Sequence, residues 1–443
     1  MLSILANATY RNLFFAQIIA LVGTGLATVA LGLLAYDIAG SNGGAVLGIA
    51  MAIKMIAYIG VAPVVGAYAS RLPRRAFLIA MDVIRLLVAL ALPFVDQVWQ
   101  VYVLIFVLQS ASAGFTPTFQ ATIPDVLPEE KDYTRALSLS RLAYDMESLT
   151  SPMLAAALLT IMNFHWLFAG TAIGFACSAL LVMMTALPRT RAAARSGGVW
   201  ARTTHGARLY LATPRLRGLL AVTLAAAAAS AMVIVNTAVL VRSGLGLGQS
   251  EVAVTLAAFG GGSMLAALML PRLLDRISDH TVMLASATVM TVLLAALAFA
   301  WQFHDRSGFW YLLLGGWSLL GMSYAASITP GGRLLRRSSN AEDRPALFAA
   351  QFAFSHVCWL IAYPLAGEVG ARMGFELAFA ATAVLGAVGT AIGLAIWPAG
   401  DPEIVEHSHD DLPSDHPHLA EGHPGGTTSH AFVVDDLHER WPR

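Results

Sequence analysis

The chain has 443 residues, 57% of them apolar and only 12% charged, with a mean hydropathy of +0.67. A soluble chain carries about 25% charged residues, so an ordinary soluble enzyme, a disordered chain and a nucleic-acid binder are excluded, and a polytopic membrane protein is left. The formal net charge of zero divides into a body of +8 and a tail of −8, because residues 401–443 hold ten acids against two arginines.

A helix that crosses about 30 Å of hydrocarbon needs about 20 mostly apolar residues. Twelve stretches qualify: 12–38, 44–69, 75–95, 98–120, 136–160, 166–187, 217–241, 251–270, 281–301, 309–329, 346–367 and 375–397. The polar start Met1–Arg11 runs into the first of them with no cleavage pattern after it, which reads as a retained span. Turn and charge signals such as GSNGG at 40–44 and HDRSG at 304–308 separate the spans. The fifth is unusual in carrying Arg141, Asp145 and Glu147. The expected organisation is a six-helix bundle over 1–188, a basic connector over 189–216, a second six-helix bundle over 217–398, and a tail over 399–443. Within the connector, VWARTTHGARLYLA reads as a surface helix with its arginines at lipid headgroups.

With the N-terminus inside, 19 Lys and Arg residues fall on the inner side and three on the outer, namely Arg242, Arg306 and Arg372. The positive-inside rule then places both termini in the cytoplasm, and the expected location is a bacterial cytoplasmic (inner) membrane. The only lysines are Lys54 and Lys131, and neither follows a glycine, so the chain has no phosphate loop for ATP. It has no HExxH, GxSxG or CxxC either. No enzyme and no cofactor are expected. What remains is movement of a solute, driven by a gradient; the expected partners are the solute, protons and the lipid bilayer, and the expected state is a monomer.

The two sets of six spans echo each other. SRLPRR (70–75) follows span 2 and DRISDH (275–280) follows span 8; TPTFQ ends span 4 and TPGGR ends span 10. On these residues the chain resembles the major facilitator superfamily over 1–398. The superfamily signature GxxxDRxGRR is similar to Gly66-Ala-Tyr-Ala-Ser70-Arg71-Leu-Pro-Arg74-Arg75, with serine at the acidic position, while the second copy keeps Asp275-Arg276 and has Pro271 at the glycine position. The resemblance implies an all-α protein of two pseudo-symmetric bundles. Spans 2, 5, 8 and 11 would line the seam between them, and spans 1, 4, 7 and 10 a central cavity. Pro152 with Ala155-Ala156, DVIR in span 3 and PTFQATIPDVLP after span 4 resemble the exporter branch, which includes siderophore and drug exporters.

Counted at 1.5 Å per residue, Lys54, Asp145, Glu147 and His356 each lie roughly 14–17 Å deep. Ionisable groups at that depth face the protein interior. They read either as a proton-coupling layer or as a fixed ion pair of Lys54 with Asp145 or Glu147, with His356 as a packing histidine. Asp145 and Glu147 point about 200° apart on a helix, and Arg141 stands four residues before Asp145. Glu147 is then the less committed carboxylate. Asp82 and Arg85 are expected to join a structural network with Arg141. The candidate cavity lining is Gln17, Gln109, Ser230, Asn236 and Tyr324.

Seven of the 12 histidines follow residue 406. His407, His409, His416, His418 and His423, beside acids, form a candidate metal-binding set in a tail whose Pro and Gly predict disorder. Such tails resemble those of bacterial nickel-resistance permeases. The reading is therefore proton-coupled efflux of a small molecule, with divalent metal export or a non-transporting metal sensor as the alternatives. The closing AFVVDDLHERW reads as a docking segment for the body or a partner.

Overall fold

The computed structural model describes residues 2–39, 43–69, 72–188, 199–305, 308–400, 404–408, 427–434, 438 and 441. Among them are twelve long helices. The first six are α1 (Ala8–Ala39), α2 (Gly43–Ala69), α3 (Arg74–Ala91), α4 (Val98–Val126), α5 (Glu130–Leu159) and α6 (His165–Met183). Two short helices follow, α7 (Val199–Thr203) and α8 (His205–Ala212), and then α9 (Pro214–Val239), α10 (Gln249–Leu274), α11 (Asp279–Ala300) and α12 (Phe309–Ile328). A short α13 (Gly331–Arg337) precedes α14 (Arg344–Met373) and α15 (Phe375–Ile396). Eleven of the long helices are apolar enough to cross a membrane. The exception is α5, whose Lys131, Asp132, Arg135, Arg141, Asp145 and Glu147 interrupt its apolar run.

Packing repeats between the first six and the last six. Helix α1 packs on α6 as α9 does on α15, α2 on α4 as α10 on α12, and α3 on α6 as α11 on α15. The two sets meet where α2 lies along α14 and where α5 lies along α10. Small residues bring backbones together where lipid offers no hydrophobic drive. A β-carbon on Gly262 or Gly321 would come within 1.9 Å of a carbonyl oxygen of the facing helix in the α10–α12 pair. Large apolar side chains such as Leu87, Phe106, Ile173, Leu265, Val292 and Leu394 remain exposed on the outside, as a lipid-facing surface requires.

Several boundaries move from the sequence reading. Helix α4 runs on past residue 120 through Pro117 and Pro124, and α14 extends from 344 to 373 rather than from 346 to 367. The expected surface helix is two pieces, α7 and α8. Helix α8 docks against α14, with Leu209 and Tyr210 buried and Arg208 exposed, and a β-carbon on Gly206 would fall 2.2 Å from the Ala346 carbonyl oxygen.

The described residues of the tail depart from the expectation of disorder. Strand β1 (Ile404–Ser408) pairs antiparallel with β2 (Thr427–Ala431), and His407 stands opposite Thr428. Beyond β2, Phe432 and Val434 are buried in one apolar cluster with Leu209, Tyr210, Leu216, Leu334, Leu347 and Trp397. Trp441 packs on Phe432 and under the Arg215 guanidinium, 4.8 Å from its ring centre. Aromatic and aliphatic side chains of the closing segment find an apolar bed on the body, which accounts for the docking.

Candidate functional site

Helix α2 carries Lys54 and Tyr58 one turn apart, with the ammonium 5.5 Å from the phenol ring centre. The Tyr58 hydroxyl donates to Gln109 Oε1 of α4 at 2.9 Å. Its ring crosses the seam to α14, edge-on to His356 at 4.6 Å and tilted on Phe352 at 4.9 Å. His356 Nδ1 lies 2.7 Å from the Phe352 carbonyl oxygen, which can only accept. The proton of a neutral His356 is therefore on Nδ1, and Nε2 is left as an acceptor. One turn further, Trp359 donates to Ser230 Oγ at 2.9 Å. Lys54, Gln109 and His356 are thus gathered around Tyr58, a residue the sequence reading passed over.

The i, i+4 pair of Arg141 and Asp145 forms as expected. It also reaches across the seam. Arg141 Nε donates to Ser263 Oγ of α10 at 3.0 Å, and Ser263 donates to Asp145 Oδ2 at 2.6 Å. The Arg141 guanidinium lies 5.0 Å from the Tyr324 ring centre. Asp145 is buried and committed. Glu147 turns the other way, toward α1, where a β-carbon on Gly25 would fall 2.5 Å from its Oε1. Lys54 is the charged group that acts on it. Among the described residues neither forms an ion pair, so the fixed pair of Lys54 with Asp145 or Glu147 is not made.

Of the candidate cavity residues, Gln17 is buried and accepts from Ser140 Oγ at 3.1 Å. Asn236 is spent on packing, since its amide donates to the Ala366 carbonyl oxygen at 3.0 Å and ties α9 to α14. Ser230 is buried beneath Trp359. The network expected among Asp82, Arg85 and Arg141 does not form. Asp82 instead takes Arg85 and, at 2.8 Å, Ser178 of α6, while the Arg85 guanidinium stacks between Phe115 and Phe175. Arg141 instead pairs with Asp145 of its own helix and reaches Ser263 of α10.

Among the described residues, every ion pair that joins the two sets of helices lies at the basic end, where α4 ends and α5 begins. Asp125 is shared by Arg74 and Arg344. Glu130 is shared by Arg333 and Arg337, which also hold Asp279. Lys131 reaches Asp275 at 4.0 Å. Gly66 is buried against α14. Arg75 is exposed and donates to the Thr185 carbonyl oxygen at 3.5 Å, and Arg276 is exposed. Arg71 lies outside the described residues, as do His409, His416, His418 and His423. Among the described residues no group of three His, Cys, Asp or Glu could hold a metal ion. Asp125, Glu130, Ser263 and Arg344 were missed by the sequence reading; a carboxylate where span 4 ends and an arginine where span 11 begins were the available signals.

The family model of the Major Facilitator Superfamily matches residues 13–239 and 218–421. The chain belongs to this superfamily. It is a multi-pass integral membrane protein of a transporter family. A curated relative, an uncharacterised MFS-type transporter (YfiS) of Bacillus subtilis, is 28% identical over 127 residues, which is 29% of this chain and 30% of the relative's length. The match therefore spans under a third of that relative. Among solved structures, the human organic anion transporter MFSD10 aligns with a TM-score of 0.73 at 12% identity, covering 87% of this chain and 99% of the other. A bacterial homologue of the iron transporter ferroportin, in an outward-facing state, aligns with a TM-score of 0.71 at 13% identity over 87% and 98%. The fucose:proton symporter of E. coli aligns with a TM-score of 0.67 at 15% identity over 88% and 98%. At these identities the likeness is one of fold.

Proposed function

We propose that this superfamily member is a secondary active transporter of the bacterial cytoplasmic membrane that exports a small molecule in exchange for protons by alternating access. On this reading α5 is a twelfth span, residues 1–188 and 217–398 are the two moving bundles of a monomer, and both termini are cytoplasmic. The carrying observation is the unequal standing of the mid-membrane carboxylates. Asp82 and Asp145 each hold an arginine, whereas Glu147 has no ion pair among the described residues and is acted on by Lys54. Protonating a carboxylate that holds a buried arginine strands the cation. Protonating Glu147 breaks no ion pair among the described residues, and His356 Nε2 is a second acceptor across the seam.

Export as the direction rests on the exporter-like residues around Pro152 and at 117–128. The 19-to-3 bias of basic residues makes the ion-paired end the cytoplasmic gate, here shut. The test is uptake into inside-out membrane vesicles of a panel of organic cations, organic anions and divalent metals. Uptake of at least one organic solute that a protonophore abolishes is expected. A panel with no protonophore-sensitive uptake contradicts the reading, and uptake of metals alone decides for a metal cargo.

A further inference from the structure

The basic end holds more positive charge than its own carboxylates neutralise. Arg74, Arg333, Arg336, Arg337 and Arg344 face Asp125, Glu130 and Asp279, five cations against three anions. Each of those carboxylates is already shared between two arginines. Arg336 instead donates to the Pro128 carbonyl. A cavity of about 220 Å³ opens among Glu130, Tyr133, Arg333, Arg336, Arg337 and Arg344.

Donors are left over on its wall. Tyr133 is 1% exposed, yet its hydroxyl has no hydrogen-bond partner, and Arg336 Nη1 and Arg344 Nε also lack one. An unpaired buried hydroxyl costs about 1–3 kcal/mol, and like charges without a counter-ion add to that cost. Three unused donors, with four arginines against one carboxylate on the wall of one cavity, form the complement of a dianion with several acceptor oxygens. Guanidinium groups match a phosphate in charge and in fork geometry.

We propose that this cavity binds a phosphate dianion, supplied as a free phosphate or as a phosphomonoester lipid headgroup. Tyr133 and Glu130 come from α5 and the arginines from α13 and α14, so the site is complete only when the two sets of helices are together at this end. Its occupant is then a ligand of the gate-closed form, which links phosphate at the cytoplasmic face to the resting state of the carrier. That consequence rests on alternating access, whereas the site itself does not.

The test is isothermal titration of the full-length, detergent-purified protein with inorganic phosphate at constant ionic strength. One saturable site is expected, weakened about tenfold by Tyr133→Phe and by Arg336→Gln, as loss of one hydrogen bond to a charged group predicts. Without phosphate, Tyr133→Phe removes only an unpartnered hydroxyl and is expected to melt at or above the parent temperature, which separates lost binding from lost folding. No phosphate heat beyond that of chloride, or equal affinity in the parent and in Tyr133→Phe, overturns the proposal. In phosphatidylcholine nanodiscs the phosphate heat is expected to persist. Its loss when phosphatidic acid is added identifies a lipid headgroup as the occupant, and its persistence there identifies a soluble phosphate.

Discussion

Gly66 of α2 lies so close to Ala349 of α14 that a β-carbon built on the glycine would fall 2.5 Å from that of the alanine. This approach seats the two helices along the seam, and the neighbouring Arg74 and Arg344 can then share Asp125. Gly66→Val cannot be absorbed by a flexible side chain, because the facing atoms are an alanine β-carbon and backbone. Overpacking of this kind costs about 1–3 kcal/mol. The variant is expected to insert normally, to melt below the parent, and to lose most transport, as read by thermal unfolding and vesicle uptake of the same preparation.

Asp125→Asn leaves both Arg74 and Arg344 without their carboxylate. Removing one partner of a buried pair costs about 3–5 kcal/mol, and here two cations are stranded at once. Arg344→Gln leaves Asp125 its pair with Arg74. Thermal unfolding is therefore expected to rank Asp125→Asn well below Arg344→Gln, and the reverse order would show that the arginines, not the carboxylate, hold the gate.

Asp145 and Glu147 are expected to fail in different ways. Asp145→Asn strands Arg141 and breaks the link through Ser263 to α10, so folded yield and melting temperature should fall. Glu147→Gln removes no ion pair and is expected to keep both near the parent values. In exchange assays without a gradient Glu147→Gln should still move substrate, while gradient-driven accumulation is lost.

Removing residues 401–443 uncovers the bed occupied by Phe432 and Val434. Each buried apolar side chain contributes about 1.5–3 kcal/mol, so the truncated protein is expected to melt a few degrees lower while transport of an organic solute continues. Trp441→Ala, which removes the ring under Arg215, should give a smaller shift in the same direction. A nickel titration of the two forms reads the histidines directly, since binding confined to the full-length chain assigns the metal affinity to the tail.

Eleven of the twelve expected spans were legible because apolar run length and turn signals report directly on membrane crossing, whereas the charges of α5 interrupt its apolar run. The Arg141–Asp145 pair was legible too, because a spacing of four places both on one helix face. What the sequence could not carry was which helix each charge would meet. Arg85 and Arg141 look equivalent along the chain, yet one is sandwiched by Phe115 and Phe175 inside the first six helices and the other reaches Ser263 in the last six. Tyr58 was invisible for the same reason, since its partners Gln109 and His356 lie 51 and 298 positions away. The docked closing segment was legible as amphipathic, but its bed is assembled from α8, α9, α13 and α14 only on folding.

Proton movement in proteoliposomes carrying a pH-sensitive dye inside tests the central claim most directly. With an organic solute from the vesicle panel on one side and an imposed pH gradient, the parent protein is expected to move protons only when solute is present, and Glu147→Gln is expected to move none while still exchanging solute. Solute transport by the parent without proton movement, or solute-dependent proton movement by Glu147→Gln at the parent rate, would contradict the account.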